Sequence, residues 1–213
     1  MIERSNINLY LGDSLEAMKS MPDNAYDLAI VDPPYGVEEI TGKEFSHGRG
    51  KLKDRAFNRG SVKVNDWDKA PTKNYFNELF RVSKNQIIWG ANYFDLPPYR
   101  CIVVWDKMQP FPNFSAIEIA YTSFNQPAKL FKFYNRYSGK IHPMQKPIAL
   151  YKWLLTNYAK EGDKILDTHG GSMSIAIACH DLKFDLDLWE LDPDYYEAGV
   201  KRFEEHKKQL QLF

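Results

Sequence analysis

Leu28-Ala29-Ile30-Val31-Asp32-Pro33-Pro34-Tyr35 is an apolar run that ends in a carboxylate, two prolines and an aromatic ring. Such a run, closed by turn residues, reads as a buried strand. Two successive prolines remove two backbone donors and fix φ at each. The carbonyls of Asp32 and Pro33 are therefore acceptors aimed by a rigid turn. Tyr35 adds a face for stacking. Acceptors in one plane with a ring above them describe a holder for a planar amine, such as the exocyclic amino group of a base swung out of its helix. The competing reading is an ordinary Asp-Pro turn after a strand, which carries no chemistry.

Outward from this point the chain alternates. Ile7-Asn8-Leu9-Tyr10-Leu11 reads as a short strand and Ser14 to Met21 as a helix, which makes an α/β opening. Tyr75 to Val82 is helical, and three strand-like runs follow at 86–89, 101–105 and 117–121. Pro147 to Tyr158 reads as a helix with proline in its first turn. Lys164-Ile165-Leu166-Asp167 is strand, Ser174 to His180 helix, Leu186 to Glu190 strand and Pro193 to Leu210 helix. Strands alternating with helices imply an α/β fold with a doubly wound, mostly parallel sheet. No repeat is visible, and one domain is expected over 1–213. Between Gly42 and Val64 stand seven Lys/Arg, two acids and four glycines. A basic flexible loop is expected at about 37–66.

The bulk properties exclude several classes. At 213 residues, 44% apolar and 26% charged, the chain has ordinary globular composition. No apolar run approaches the roughly 18 residues of a membrane span. Met1-Ile2-Glu3-Arg4 does not lead into a secretory apolar region, so a cytoplasmic location without membrane contact is the expectation. Cys101 and Cys179 are too few for a disulfide framework, and without zinc-type Cys/His spacing no metal is expected. The 28 basic and 28 acidic side chains cancel, so affinity for nucleic acid must come from local clusters. Two clusters qualify: the glycine-rich stretch Gly42 to Lys63, and Lys129 to Tyr137, where basic and aromatic residues interleave. The alternative readings are a solvated linker and an ordinary alternating strand.

A second candidate site lies late in the chain. Asp167-Thr168-His169-Gly170-Gly171-Ser172 follows a strand and precedes a helix, the position at which open α/β sheets bind ligands. Glu190 ends the next strand about 20 residues on, the spacing at which a Rossmann-type acid meets ribose hydroxyls. The bland alternative makes Gly170-Gly171 a tight turn and Glu190 a solvated charge. No Gly-x-Gly-x-x-Gly and no Lys-Ser/Thr phosphate loop occur, so a nucleoside cofactor without a pyrophosphate is favoured over a dinucleotide or ATP.

In order, Asp32-Pro33-Pro34-Tyr35, His142-Pro143-Met144-Gln145-Lys146-Pro147 and the Asp167 to Ser174 loop resemble the DNA amino-methyltransferases. They are most similar to the permuted adenine-N6 enzymes of the β class, in which the catalytic motif precedes the cofactor motif. The likeness extends to Gly12-Asp13-Ser14-Leu15, Trp105-Asp106-Lys107, Glu190-Leu191-Asp192 and Tyr195-Tyr196. It implies a Rossmann-like methyltransferase fold and S-adenosylmethionine as cofactor. By the same likeness the Asp167 to Ser172 loop lies near the methionine portion, with Glu190 and the adjacent Leu191 at the ribose, Asp13 near the adenine amine, and His142 and Lys146 at the methionine end. It further implies double-stranded DNA as partner, a place in restriction-modification, a homodimer, and a short target-recognition segment at about 107–140. Thr168, His169 and Met173 depart from the family's loop, which usually has proline, phenylalanine and glycine there.

On this likeness the Asp32 carboxylate, which also borders the cofactor, and the Pro33 carbonyl accept the two amine N–H groups, Pro34 stiffens the turn, and Tyr35 stacks on the base. Cytosine-N4 transfer uses the same chemistry, although those enzymes carry serine more often than aspartate at the first position. RNA adenine and protein glutamine are other targets. A catalytically silent DNA-binding or assembly subunit of the same fold is the alternative from another class.

Overall fold

The computed structural model describes residues 5–36, 69–109, 115–134, 141 and 145–210. The basic stretch at about 37–66 lies outside them. Eight strands form one sheet: β1 (Ile7–Leu11), β2 (Tyr26–Val31), β3 (Ser83–Trp89), β4 (Ile102–Asp106), β5 (Ile117–Thr122), β6 (Lys129–Lys132), β7 (Lys164–Asp167) and β8 (Asp185–Glu190), in the order β1-β8-β7-β2-β3-β5-β4-β6. Among the described residues five α-helices connect them: α1 (Ser14–Lys19), α2 (Lys73–Val82), α3 (Ile148–Tyr158), α4 (Ser174–Leu182) and α5 (Pro193–Leu210). All strand pairs are parallel except β3 with β5 and β5 with β4, so β5 alone runs backwards.

The apolar run that precedes Asp32 is continuous because β2 is buried on both faces. Leu28 and Ile30 join the core under α3, α4 and α5, with Leu150, Leu154, Ala176 and Phe203. Ala29 and Val31 join the opposite core, under α1 and α2, with Met18, Tyr75, Leu79 and Val82. None of the four β2 residues exceeds 1% exposure. The result is a three-layer sandwich with β2 and β7 at its centre. Edge strand β6 instead alternates: Phe131 packs on the core while Leu130 stays half exposed. Of the expected recognition segment at about 107–140, residues 117–122 and 129–132 are thus sheet strands.

The helix ends follow local chemistry. Asp13 caps α1, its Oδ1 accepting from the N–H groups of Leu15 (2.8 Å) and Glu16 (3.3 Å). Asp192 does the same for α5 through Asp194 and Tyr195, and Pro193 takes the first helical position.

The topology places a crevice. From β2 the chain crosses through α2 to β3 on one side, whereas from β7 it crosses through α4 to β8 on the other. The connections diverge between the neighbouring strands β2 and β7, and ligands of open α/β sheets bind at such a switch point. Asp32 follows the last residue of β2, and Asp167 is the last residue of β7.

Leu154, fully buried on α3, tests the layer. Leu154→Ala is expected to lower unfolding free energy by about 3 kcal/mol. Leu182→Ala at a position 37% exposed should cost less than about 1 kcal/mol. Urea denaturation measures both.

Candidate active site

Asp32 is held through both of its carboxylate oxygens. Its Oδ2 lies 2.5 Å from the Lys146 Nζ and its Oδ1 accepts from the Tyr35 hydroxyl at 2.8 Å. Lys146, with a side chain only 3% exposed, also reaches the Glu118 Oε2 at 3.0 Å and the Tyr35 hydroxyl oxygen at 3.3 Å. Two carboxylates and one hydroxyl thus surround the ammonium. Glu118 meets a second cation through its other oxygen, 2.5 Å from the Lys107 Nζ. Lys107, Glu118, Lys146 and Asp32 thus form a row of alternating charges with no net charge.

Glu118 gets there because β5 is reversed. The first residues of β5 pair with the last of β4, Trp105 opposite Glu118 and Asp106 opposite Ile117. A residue near the start of β5 therefore sits at the carboxyl edge of the sheet, beside the loop that follows β2. Lys146 comes from the segment just before α3, the third piece of chain at this edge.

Electrostatics differ along the row. Burial pushes the Asp32 carboxyl up, opposed by Lys146 and reinforced by Glu118. Burial pushes the same way at Glu118, but two flanking ammonium groups hold that carboxyl below its ordinary value. Lys146 is lowered by burial and raised more by Asp32 and Glu118, so it stays charged.

Tyr35 is fixed by its neighbours. Its ring stacks on Tyr93 at 5.0 Å with 15° between planes and meets the edge of Phe94 at 6.1 Å. Gly90, at the end of β3 with φ +78°, supplies the floor: a Cβ there would overlap the Tyr35 ring. Both the backbone angle and the close approach require glycine. One face of Tyr35 is thus occupied by Tyr93. Pro33 is buried and Pro34 half-buried in the turn.

Across the crevice the Asp167 loop is closed internally. Asp167, 2% exposed, accepts from the His169 N–H at 3.0 Å. Burial pushes its carboxyl up to about 8. Thr168 shares a hydrogen bond with the Tyr75 hydroxyl at 2.6 Å and another with the His169 Nδ1 at 2.9 Å. The His169 ring packs edge-on against Tyr75 at 5.5 Å, and burial holds its pKa down to about 4. This histidine is neutral at physiological pH. The Gly170 N–H donates to the Trp189 carbonyl at 2.8 Å, so loop and β8 move as one. Ser172 shares a hydrogen bond with Ser174 at 3.0 Å, and Arg202 of α5 donates to the Ser172 carbonyl at 2.6 Å.

Glu190 is 9% exposed and accepts from the Gly171 N–H at 2.6 Å and the Asp192 N–H at 2.8 Å. It is a buried, oriented carboxylate rather than a solvated strand-end charge. Leu191 beside it is 69% exposed. Asp13 stands at the end of β1, which pairs with β8 so that Leu11 is opposite Glu190. Asp13, Asp167 and Glu190 therefore share the carboxyl edge of adjacent strands. Lys146 is bound to Asp32 and Glu118, and His142 lies outside the described residues.

Away from the crevice, His180, Asp181 and His206 come together at a spacing a metal could use. Asp181 is already committed, with Lys152 at 2.7 Å, His206 at 2.7 Å and His180 at 3.3 Å. The cluster ties α3, α4 and α5 together.

This arrangement pairs a carboxylate next to two prolines with a buried carboxyl loop and an acid on the following strand. The sequence profile of the N6/N4 DNA methylases matches residues 88–201, more than half of the chain. The chain belongs to this DNA methylase family. The family's methyl donor is S-adenosylmethionine. Among curated proteins, the Type II methyltransferase M2.MboI of Moraxella bovis is 24% identical, over 94% of this chain and 88% of its own length. Two solved structures share the fold. The PvuII cytosine-N4-specific DNA methyltransferase matches with TM-score 0.62 and 15% identity, over 96% of this chain and 91% of its own. The M1.HpyAVI complex with S-adenosylmethionine matches with TM-score 0.56 and 19% identity, over 92% and 99%.

The methylase crevice fits its cofactor. S-Adenosylmethionine carries a sulfonium and an α-ammonium, and Asp167 is a buried carboxyl whose raised pKa marks a site short of positive charge. Glu190 offers remaining acceptor capacity to hydroxyl donors. Among the described residues no helix is long and apolar enough to cross a membrane.

Sequence reasoning missed Glu118 and Lys107 as members of the site. Lys146→Met would leave Asp32 and Glu118 buried without their shared cation. Each could then shed its charge only by binding a proton, so folded-state pKa values rise and stability falls as pH rises. A loss of about 3–5 kcal/mol is expected at pH 8 and a smaller one at pH 5, by urea denaturation at both.

Proposed function

We propose that this methylase transfers the methyl group of S-adenosylmethionine to the N6 amine of an adenine flipped out of double-stranded DNA. The observation that carries the reading is the Asp32 carboxylate, anchored by Lys146 and Tyr35 beside the Pro33 carbonyl and facing a crevice whose other wall is Asp167.

The adenine amine is a poor nucleophile because its lone pair is delocalised into the ring. Its reactivity rises as the nitrogen becomes pyramidal, so the site must favour that geometry in the transition state. Asp32 and the Pro33 carbonyl accept the two N–H groups and turn the lone pair toward the crevice. The rigid Pro33-Pro34 turn fixes both acceptors beforehand, which lowers the entropy cost of alignment. The Tyr35 ring, kept in place by Tyr93 and Gly90, is the stacking partner of the base. The cofactor supplies the methyl group on a sulfonium. Asp167 faces its positive charge, Glu190 and Leu191 hold the ribose side, Asp13 the adenine side, and Thr168, His169, Gly170, Gly171 and Ser172 shape the wall, with His142 and Lys146 at the methionine end. The amine nitrogen would take the methyl, the sulfonium becoming a neutral thioether, and the N–H proton it then sheds would pass to the Asp32 carboxylate that already accepts from it.

Aspartate at position 32 favours adenine over cytosine N4, where the resembling enzymes more often carry serine. For DNA contact the reading uses the basic stretch Gly42 to Lys63, outside the described residues, and the stretch Lys129 to Tyr137, whose last three residues also lie outside them. Within the latter Leu130 and Tyr134 are exposed, while Lys129 is tied to Asn157 at 2.9 Å.

Unmethylated DNA incubated with radiolabelled cofactor should yield N6-methyladenine on nucleoside analysis. Asp32→Ala should abolish turnover while cofactor binding stays within about threefold, since Asp32 acts on the amine. N4-Methylcytosine as the product would replace the adenine assignment, and an Asp32→Ala protein with most of its rate would remove the mechanism.

Asp167 adds a pH signature. With its carboxyl near 8 it is largely protonated at pH 7 in the free protein. A cationic ligand beside it lowers that value, so cofactor binding should release up to about one proton. Calorimetry at pH 7 in buffers of different ionisation enthalpy reads this number, which should fall toward zero above pH 9.

A further inference from the structure

Lys146 is shared unequally. Its Nζ lies 2.5 Å from Asp32, 3.0 Å from Glu118 and 3.3 Å from the Tyr35 hydroxyl, and Glu118 is itself held by Lys107 at 2.5 Å. The Lys146, Glu118 and Lys107 side chains are all less than 15% exposed. In such a site charge partition is set by these few groups rather than by solvent. Asp32 is the member that must also accept from the substrate amine, and a hydrogen bond to a carboxylate strengthens with the negative charge left on it. A Lys146 wholly committed to Asp32 would neutralise the acceptor.

Resting on the methyl-transfer reading above, we propose that Glu118 is a positioning residue for the reaction: it draws Lys146 partway off Asp32 and so leaves Asp32 the charge that meets the amine, while Lys107 sets how strongly Glu118 pulls. The groups that face Asp32 are Lys146 from the segment before α3, Glu118 from β5, Tyr35 from its own loop and Asp167 from β7. Tyr151 of α3 faces Tyr35 from behind. The Trp89 ring, 5.1 Å from the Lys146 Nζ, closes the pocket without adding charge. Among the described residues, the Lys107–Glu118 pair can change the partition without touching Asp32 or the crevice wall.

The two ends of the pair act in opposite directions. In Glu118→Gln, Lys146 falls to Asp32 alone, so the Asp32 titration midpoint moves down. In Lys107→Met, Glu118 loses its second cation and pulls Lys146 harder, so the midpoint moves up. The experiment is a ¹³C NMR titration of aspartate-labelled, cofactor-free protein, with the Asp32 signal identified by its loss in Asp32→Asn. Turnover on DNA is measured alongside. Expected are midpoint shifts of opposite sign, and for Glu118→Gln a kcat about tenfold lower with cofactor Kd unchanged. Equal, absent or same-sign shifts would overturn the partition; opposite shifts with unchanged kcat would overturn its role in transfer. If Glu118→Gln does not fold, Lys107→Met decides alone: an upward shift supports the proposal and no shift overturns it. A wild-type protein that methylates no DNA would defeat the function assigned above, while the titration still judges the charge partition.

Discussion

One buried ammonium joins the pieces that make the crevice. Lys146, Asp32 and Glu118 come from the segment before α3, the loop after β2 and the start of β5, which are far apart in the chain and meet only at the carboxyl edge of the sheet. A charge this deeply buried is tolerable only when it is compensated, and two carboxylates within 3.0 Å compensate it. The consequence runs both ways. The sheet must bring Glu118 to that edge, which requires β5 to be reversed, and the Asp32 turn must lie where the ammonium can reach it. A register slip of β5 by one residue would turn Glu118 to the opposite face and leave Lys146 with one carboxylate.

The second constraint is divergence. Because β2 and β7 are neighbours whose helices depart to opposite sides, the described connections diverge beyond their carboxyl ends. Two acids stand there for different reasons. Asp32 is balanced by a cation and positioned by Tyr35. Asp167 has backbone donation and burial but no cation in hydrogen-bonding contact among the described residues, which is why its proton is retained toward pH 8. The asymmetry accords with the roles proposed for the two walls: an anionic acceptor on one side suits an amine, and an under-compensated carboxyl on the other suits a cationic cofactor.

Much of this was readable in the sequence. The central strands carry continuous apolar runs because they are buried on both faces, and the turn after β2 announces itself with two prolines. Helix limits moved by a residue or two, as at α1, which ends at Lys19 rather than Met21. Glu118 was not readable. Within Ile117-Glu118-Ile119 the alternation of a half-exposed strand makes Glu118 an outward charge by pattern, and only the tertiary pairing of β5 between β3 and β4 turns it toward Lys146. Lys146 was visible through its motif, but its carboxylate partners were not, because nothing local encodes a contact across the sheet edge.

The unusual residues of the Asp167 loop show how the chain keeps the crevice wall with a different sequence. Met173 precedes α4 at φ +57°, a left-handed conformation that disfavours a side chain and suits glycine. Here the methionine is fully buried, and the space it needs comes from Gly170 and from Gly199 of α5, where a Cβ would crowd the Met173 Cγ at 2.5 Å. Glycine inside a helix costs roughly 1 kcal/mol against alanine, so Gly199 adds a cost in α5 to the backbone strain that Met173 keeps in the loop. His169 is similar: its neutral ring packs edge-on against Tyr75, and Thr168 binds the Tyr75 hydroxyl. The three departures are therefore packed and hydrogen-bonded on their own terms. The departures thus leave the crevice wall closed against its neighbours on α2 and α5.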